Sequence, residues 1–255
     1  MSQEDLRVFL DAKHDEFNLP DFIPPDPISI PHRYSRKEDI EIAGLLTAII
    51  SWGRRDLIIR GAGKLMELMW NSPYDFVMEA GEEDLEMLQT FVYRTFQGVD
   101  SYYIVKGLRK VYRELGGLEE VMKMDADAEN TLPAIMQLRE AVSSVEGFPQ
   151  RTFKHLSNPA KGSSAKRINM YLRWMVRKDK RGVDFGIWNN MRMDQLICPL
   201  DFHTGNVGRK LGFLTRKAND WKSACQLTDA LKKFDPQDPV RYDFSLFGLG
   251  IYEKF

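Results

Sequence analysis

Cysteine is scarce: the 255-residue chain holds two, Cys198 and Cys225. Two thiols are too few for a four-thiolate iron–sulfur cluster or a zinc ribbon. Histidine is almost as sparse, and the four residues (His14, His32, His155 and His203) show no ligand spacing. No soft-ligand metal site and no cofactor are therefore expected. Long apolar runs are also missing. The longest nearly uncharged stretch, residues 42–52, has eleven residues, against the roughly 20 that a membrane span needs. The first residues alternate charged and apolar side chains and offer no apolar core for a secretory signal. A cytoplasmic location and no membrane partner are expected. No alternating strand pattern of useful length, internal repeat or low-complexity segment is visible.

What is present reads as helix. Hydrophobic residues make up 43% and charged residues 29%, an ordinary globular balance, and the length suits one large domain or two lobes. Leu6, Phe9 and Leu10 share one face of a first helix. Ser35 and Glu38 have the spacing of a capping box ahead of an apolar helix that ends near Gly53. Further helices are expected over residues 56–70, 100–115, 132–145, 165–176, 221–234 and 239–247, the last with Asp238 as N-cap and Pro239 at its first position. Residues 148–162 read as the main linker.

The net charge of −1 conceals an asymmetry. Between Arg151 and Val183 stand ten basic residues and one acidic residue, a local net charge of +9. Clustered cations are the footprint of a polyanion partner, and equally of a solvated face.

Two stretches carry chemistry. The first is Gly162-Ser163-Ser164-Ala165-Lys166-Arg167-Ile168-Asn169. Either serine can cap the helix behind it, and free amides at a helix start bind phosphate. Ile168, Tyr171, Leu172 and Met175 then form an apolar face, while Lys166, Met170, Arg173 and Arg177 fall along another. The second is Pro199-Leu200-Asp201-Phe202-His203-Thr204-Gly205-Asn206-Val207. Pro199 breaks the chain and Asp201 stands at an N-cap position. Taken alone, the first stretch reads sooner as a surface helix with a solvated lysine than as a catalytic one, and the second sooner as a helix that Asp201 merely caps.

Together the two stretches resemble the helix-hairpin-helix DNA glycosylase superfamily. The first is similar to the Gly-hydrophobic-Gly-x-Lys-Thr-Ala-Asn hairpin of endonuclease III–type enzymes, the second to the segment holding the superfamily's Asp-x-His motif. The resemblance implies Lys166 as nucleophile and Asp201 as the essential carboxylate. They stand 35 positions apart. That wide gap, with no iron–sulfur cysteines, is closer to the archaeal 8-oxoguanine glycosylase branch. Residues 45–53, 169–179 and 242–251 also look like an uncharacterised bacterial family of conserved hypothetical proteins. Two positions depart from the superfamily pattern: Ser164 replaces the hairpin's second glycine, and Asn206 replaces an arginine after Asp-x-His.

The resemblance implies an all-α, two-lobed fold with a cleft, residues 36–177 forming the central lobe and residues 1–35 with 178–255 the second. It implies base-excision repair of damaged duplex DNA, with glycosylase and lyase activity on a lesion such as an oxidised purine. Ser163, Ser164, Arg167, Arg173 and Arg177 are the expected DNA contacts, and Trp52, Tyr93 and Phe96 the expected base-pocket aromatics. Two other readings stay open: a non-catalytic DNA- or RNA-binding protein on the same fold, and a helical interaction scaffold.

Overall fold

A computed structural model describes residues 2–255. Among these residues the fold is all-helical, with two isolated β-bridges and no strand. The α-helices are α1 (Gln3–Phe17), α2 (Lys37–Ile50), α3 (Arg55–Leu68), α4 (Pro73–Glu79), α5 (Glu82–Met87), α6 (Gly98–Glu114), α7 (Leu118–Val121), α8 (Leu132–Ser143), α9 (Lys166–Val176), α10 (Phe202–Lys210), α11 (Trp221–Lys232) and α12 (Asp243–Ile251). No helix among the described residues is long and apolar enough to cross a membrane.

The chain divides into two compact units. One comprises Met1–Phe22, Asp125–Leu132 and Asn158–Phe255; the other comprises Ile23–Met124 and Pro133–Ser157. The sequence reading put residues 23–35 with the termini and residues 158–177 in the central lobe; the contacts assign both the other way. The break after Ser157 falls inside the expected linker, which is folded into two 3-10 turns, Gln150–His155 and Pro159–Lys161.

In the Ile23–Met124/Pro133–Ser157 unit, α2 is the central element. Every residue from Asp39 to Ile50 is buried, as expected of a helix that is apolar almost all round. Its start differs from expectation. Arg36 holds the N-cap position with no side-chain cap, and Glu38 meets the Arg36 guanidinium at 3.4 Å instead of closing a box with Ser35. In the unit holding both termini, α12 packs on α1 and α10. Gly248 makes the first approach possible, since a Cβ there would lie 2.1 Å from the Phe17 ring. Residues 239–247 split into a 3-10 turn, Pro239–Tyr242, followed by α12. Asp238 makes no cap bond to that turn, because its carboxylate is taken by Arg177 at 2.9 Å.

Candidate functional site

The loop ahead of α9 is built by local bonds. Gly162 (φ +90°) and Ala165 (φ +50°) are its left-handed residues. Ser164, where the superfamily has a second glycine, is not left-handed, so a side chain costs the backbone nothing there. The Ser163 hydroxyl accepts from the Ala165 amide at 3.2 Å. Asn169 reaches back from α9 and donates to the Ser164 carbonyl at 3.1 Å. The Thr131 hydroxyl in turn donates to Asn169 Oδ1 at 3.0 Å. The Trp221 amide, at the start of α11, donates to the Gly162 carbonyl at 3.2 Å.

This loop is tied to the segment that carries the carboxylate. The Ser164 hydroxyl donates to the Leu200 carbonyl at 3.3 Å, and Asn219 donates to the Asp201 carbonyl at 3.0 Å. Asp201 is the N-cap of α10, its Oδ1 accepting the Thr204 amide at 3.0 Å. Gly205 lets α10 come close enough, because a Cβ there would sit 2.8 Å from the Asn219 side chain. The consequence is the pairing implied by the resemblance: Lys166 Nζ lies 3.9 Å from Asp201 Oδ2, each side chain 27% exposed. The two carboxylate oxygens divide the work. Oδ1 fixes the group to the helix start, and Oδ2 faces the amine.

Lys166 Nζ also lies 3.8 Å from the Met170 sulfur one turn on, so its ammonium keeps one apolar neighbour. Behind the pair, the same helix face becomes a sealed charge network. Arg173 bonds Asp184 at 3.2 Å and Asp243 at 2.5 Å. Arg177 meets Asp179 at 2.7 Å, Asp184 at 3.1 Å and Asp238 at 2.9 Å. Burial pushes the Asp243 carboxyl up to about 6 against the pull of Arg173, and Asp238 up to about 6 against that of Arg177. Burial likewise raises the Cys198 thiol, whose sulfur lies 4.0 Å from Asp243.

The network corrects the expected DNA contacts. Arg173 and Arg177 are 4% and 1% exposed and bonded to carboxylates, so neither is available to a phosphate. α9 is buried continuously from Ile168 to Val176, not amphipathic as expected. Arg167 is partly covered, and burial lowers its guanidinium to about 10. Ser163 is exposed and Ser164 partly so; the Ser163 hydroxyl is engaged inside the loop and the Ser164 hydroxyl by the Leu200 carbonyl.

The expected base-pocket aromatics sit in the other unit. Trp52 is partly exposed and stacks on His155 at 5.9 Å. Tyr93 is 7% exposed and its hydroxyl donates to the Trp52 carbonyl at 2.9 Å. Phe96 has no exposed surface and packs edge-on to His155 at 4.8 Å. Tyr93 and Phe96 are core residues here, which removes them from a pocket lining. Beneath them Asp100, fully buried, meets His155 at 3.2 Å and accepts the Thr152 hydroxyl at 2.7 Å.

One residue beside the pair escaped the sequence reading. Phe202, next to Asp201, is 68% exposed. Its position in the motif was visible, but its exposure depends on which face of α10 packs inward. No group of three or more metal-ligating side chains is found among the described residues. No curated protein and no solved structure matches the chain. A family profile described as a protein of unknown function, DUF2400, matches residues 26–252, and the chain belongs to that family.

Proposed function

We propose that this chain is a DNA glycosylase with lyase activity, built on a helix-hairpin-helix glycosylase–type scaffold and acting on damaged duplex DNA, with an oxidised purine as the expected lesion class. The observation that carries the reading is the approach of Lys166 Nζ to Asp201 Oδ2 at 3.9 Å, with both groups partly open to solvent. Residues 35 positions apart are brought together by bonds that serve the loop and the helix cap. A partly exposed pair of this length adds little to stability.

In the proposed reaction the damaged base leaves the stack. Once the Lys166 ammonium has released a proton to solvent, its amine attacks C1′ of the sugar while the N-glycosidic bond breaks, and the base departs with the bonding electrons and takes up a proton. The amine loses its proton, the ring opens, and a Schiff base joins Nζ to C1′. Asp201 Oδ2 faces the amine and the positive charge that develops on the sugar, and the Thr204 amide holds the carboxylate in that orientation.

Borohydride reduction tests this directly, because it converts the Schiff base to a stable amine. Wild-type protein incubated with abasic or oxidised-purine duplex is expected to form a covalent adduct, and Lys166→Gln none. Trapping that survives Lys166→Gln assigns the nucleophile to another amine. No adduct on any lesion, with tight DNA binding retained, leaves a non-catalytic nucleic-acid binder.

A further inference from the structure

Among the exposed large apolar side chains of the described residues, Phe202 leaves the greatest fraction uncovered, at 68%. Isolated apolar side chains on a surface are common and need no special account. The place of this one sets it apart. It is covalently adjacent to Asp201 and occupies the first position of α10, whose inward face is Thr204, Gly205, Val207 and Gly208. Among the described residues the ring has one aromatic neighbour, His203, edge-on at 5.6 Å.

The surroundings point to one kind of partner. The residues of α10 after Phe202 that are not buried are His203, Asn206, Arg209 and Lys210. Lys166 stands across the pair, and Lys161 is exposed at the loop that Ser164 ties to Leu200. One bare aromatic ring among cations and hydrogen-bonding groups suits a nucleic-acid strand, whose phosphates meet the cations and whose base stacks on the ring. A base offers its face only when it has lost a stacking neighbour.

We infer that Phe202 is a specificity-determining residue of the Lys166–Asp201 site: its ring takes the face of an unstacked nucleobase beside the nucleotide held there, so the protein favours single-stranded, gapped or lesion-opened DNA over intact duplex. The inference rests on the nucleic-acid reading of the site and not on catalysis. It stands equally for a glycosylase and for a binder.

The test is a titration of the full chain with labelled oligonucleotides of one sequence: single-stranded, gapped opposite an unpaired base, and fully paired. Wild type should bind the first two more tightly. Phe202→Ala should weaken those two by about tenfold, within the range of one base–aromatic stack, and leave the paired duplex unchanged. Phe202→Trp should restore the affinity, with the new indole quenched on binding. Loss of affinity equal on all three DNAs, or on none, overturns the inference while the borohydride result stands by itself. Wild type that binds none of the three overturns the nucleic-acid reading itself. The Asp201 cap is untouched by either substitution, and a thermal melt checks that the fold is retained.

Discussion

The two ends of α9 use basic side chains in opposite ways. At its start, Lys166 is 27% exposed and faces a single carboxylate at 3.9 Å. Two turns on, Arg173 and Arg177 are almost wholly buried and share Asp179, Asp184, Asp238 and Asp243 at 2.5–3.2 Å. A buried charge is tolerated only when paired and hydrogen-bonded, whereas an exposed one needs no partner and is free to meet a ligand. The +9 count between Arg151 and Val183 therefore overstates the positive surface. Asp184, which neutralises part of it, is the next residue after the segment ends, and Arg181 is paired as well, with Asp15 at 2.5 Å.

The sharpest contrast should appear in stability. Arg177→Ala removes the cation shared by Asp179, Asp184 and Asp238 and leaves their carboxylates facing one another under cover. Breaking a buried pair in this way costs about 3–5 kcal/mol. Urea unfolding is expected to show a midpoint far below wild type. An unchanged midpoint would mean that water reaches the network and that the two ends of α9 are alike.

The sealed end should also respond to acid. Burial, with Arg241 and Arg177 facing the ring, pushes His14 down from 6.5 to about 4. The folded state therefore holds His14 neutral. Its contribution is fully present above pH 6.5 and is lost as pH falls towards 4. The shift corresponds to at most about 3 kcal/mol. Asp238 and Asp243, both raised to about 6 by burial, act in the opposite sense: they gain stability as pH falls from 6 towards 3.8. The informative quantity is thus the difference between wild type and His14→Gln. Chemical unfolding across this range should move that difference in favour of the variant as pH drops. A constant difference would show that His14 takes up its proton at the same pH in the folded and the unfolded chain.

The helical class and the longer α-helices were legible because apolar spacing is a local property, whereas the short α4, α5 and α7 were not foreseen. α3, α6, α9 and α11 lie within two residues of the expected bounds at either end. The Lys166–Asp201 pair was legible only through resemblance, since nothing in either stretch alone separates a nucleophile from a solvated lysine. Arg173 and Arg177 were misread for a physical reason. Their partners Asp238 and Asp243 lie more than sixty residues along the chain, and no periodicity announces a carboxylate that folding delivers from that distance. Asp238 was misread by the same pairing, because the position suited a cap while the charge went to Arg177. Tyr93 and Phe96 show the reverse difficulty: an aromatic near a loop reads alike as pocket and as core until burial is known.

Asp201 allows its two roles to be separated. Asn caps a helix about as well as Asp, so Asp201→Asn should leave the melting temperature close to wild type while slowing turnover by on the order of 10²–10³. Asp201→Ala removes the cap as well and should cost about 1 kcal/mol more. If both variants melt alike, the bond to the Thr204 amide is not holding α10, and the orientation argued for Oδ2 loses its support.

The smallest effect is expected at the open end of α9. Lys166→Gln deletes a cation whose ion pair is long and a quarter exposed. Pairs of this kind contribute about 0–1 kcal/mol. The stem of glutamine still covers part of the Met170 contact, so stability should change by about 0.5 kcal/mol or less. The measurement is the same urea titration used for Arg177→Ala, run side by side. Near-identity with wild type lets the loss of covalent trapping in Lys166→Gln be read as the loss of a nucleophile. A drop of several kcal/mol would make the pair a structural tie between α9 and the start of α10. Loss of trapping would then report a displaced Asp201 as readily as a missing amine, and the open and sealed ends of the helix would no longer differ in kind.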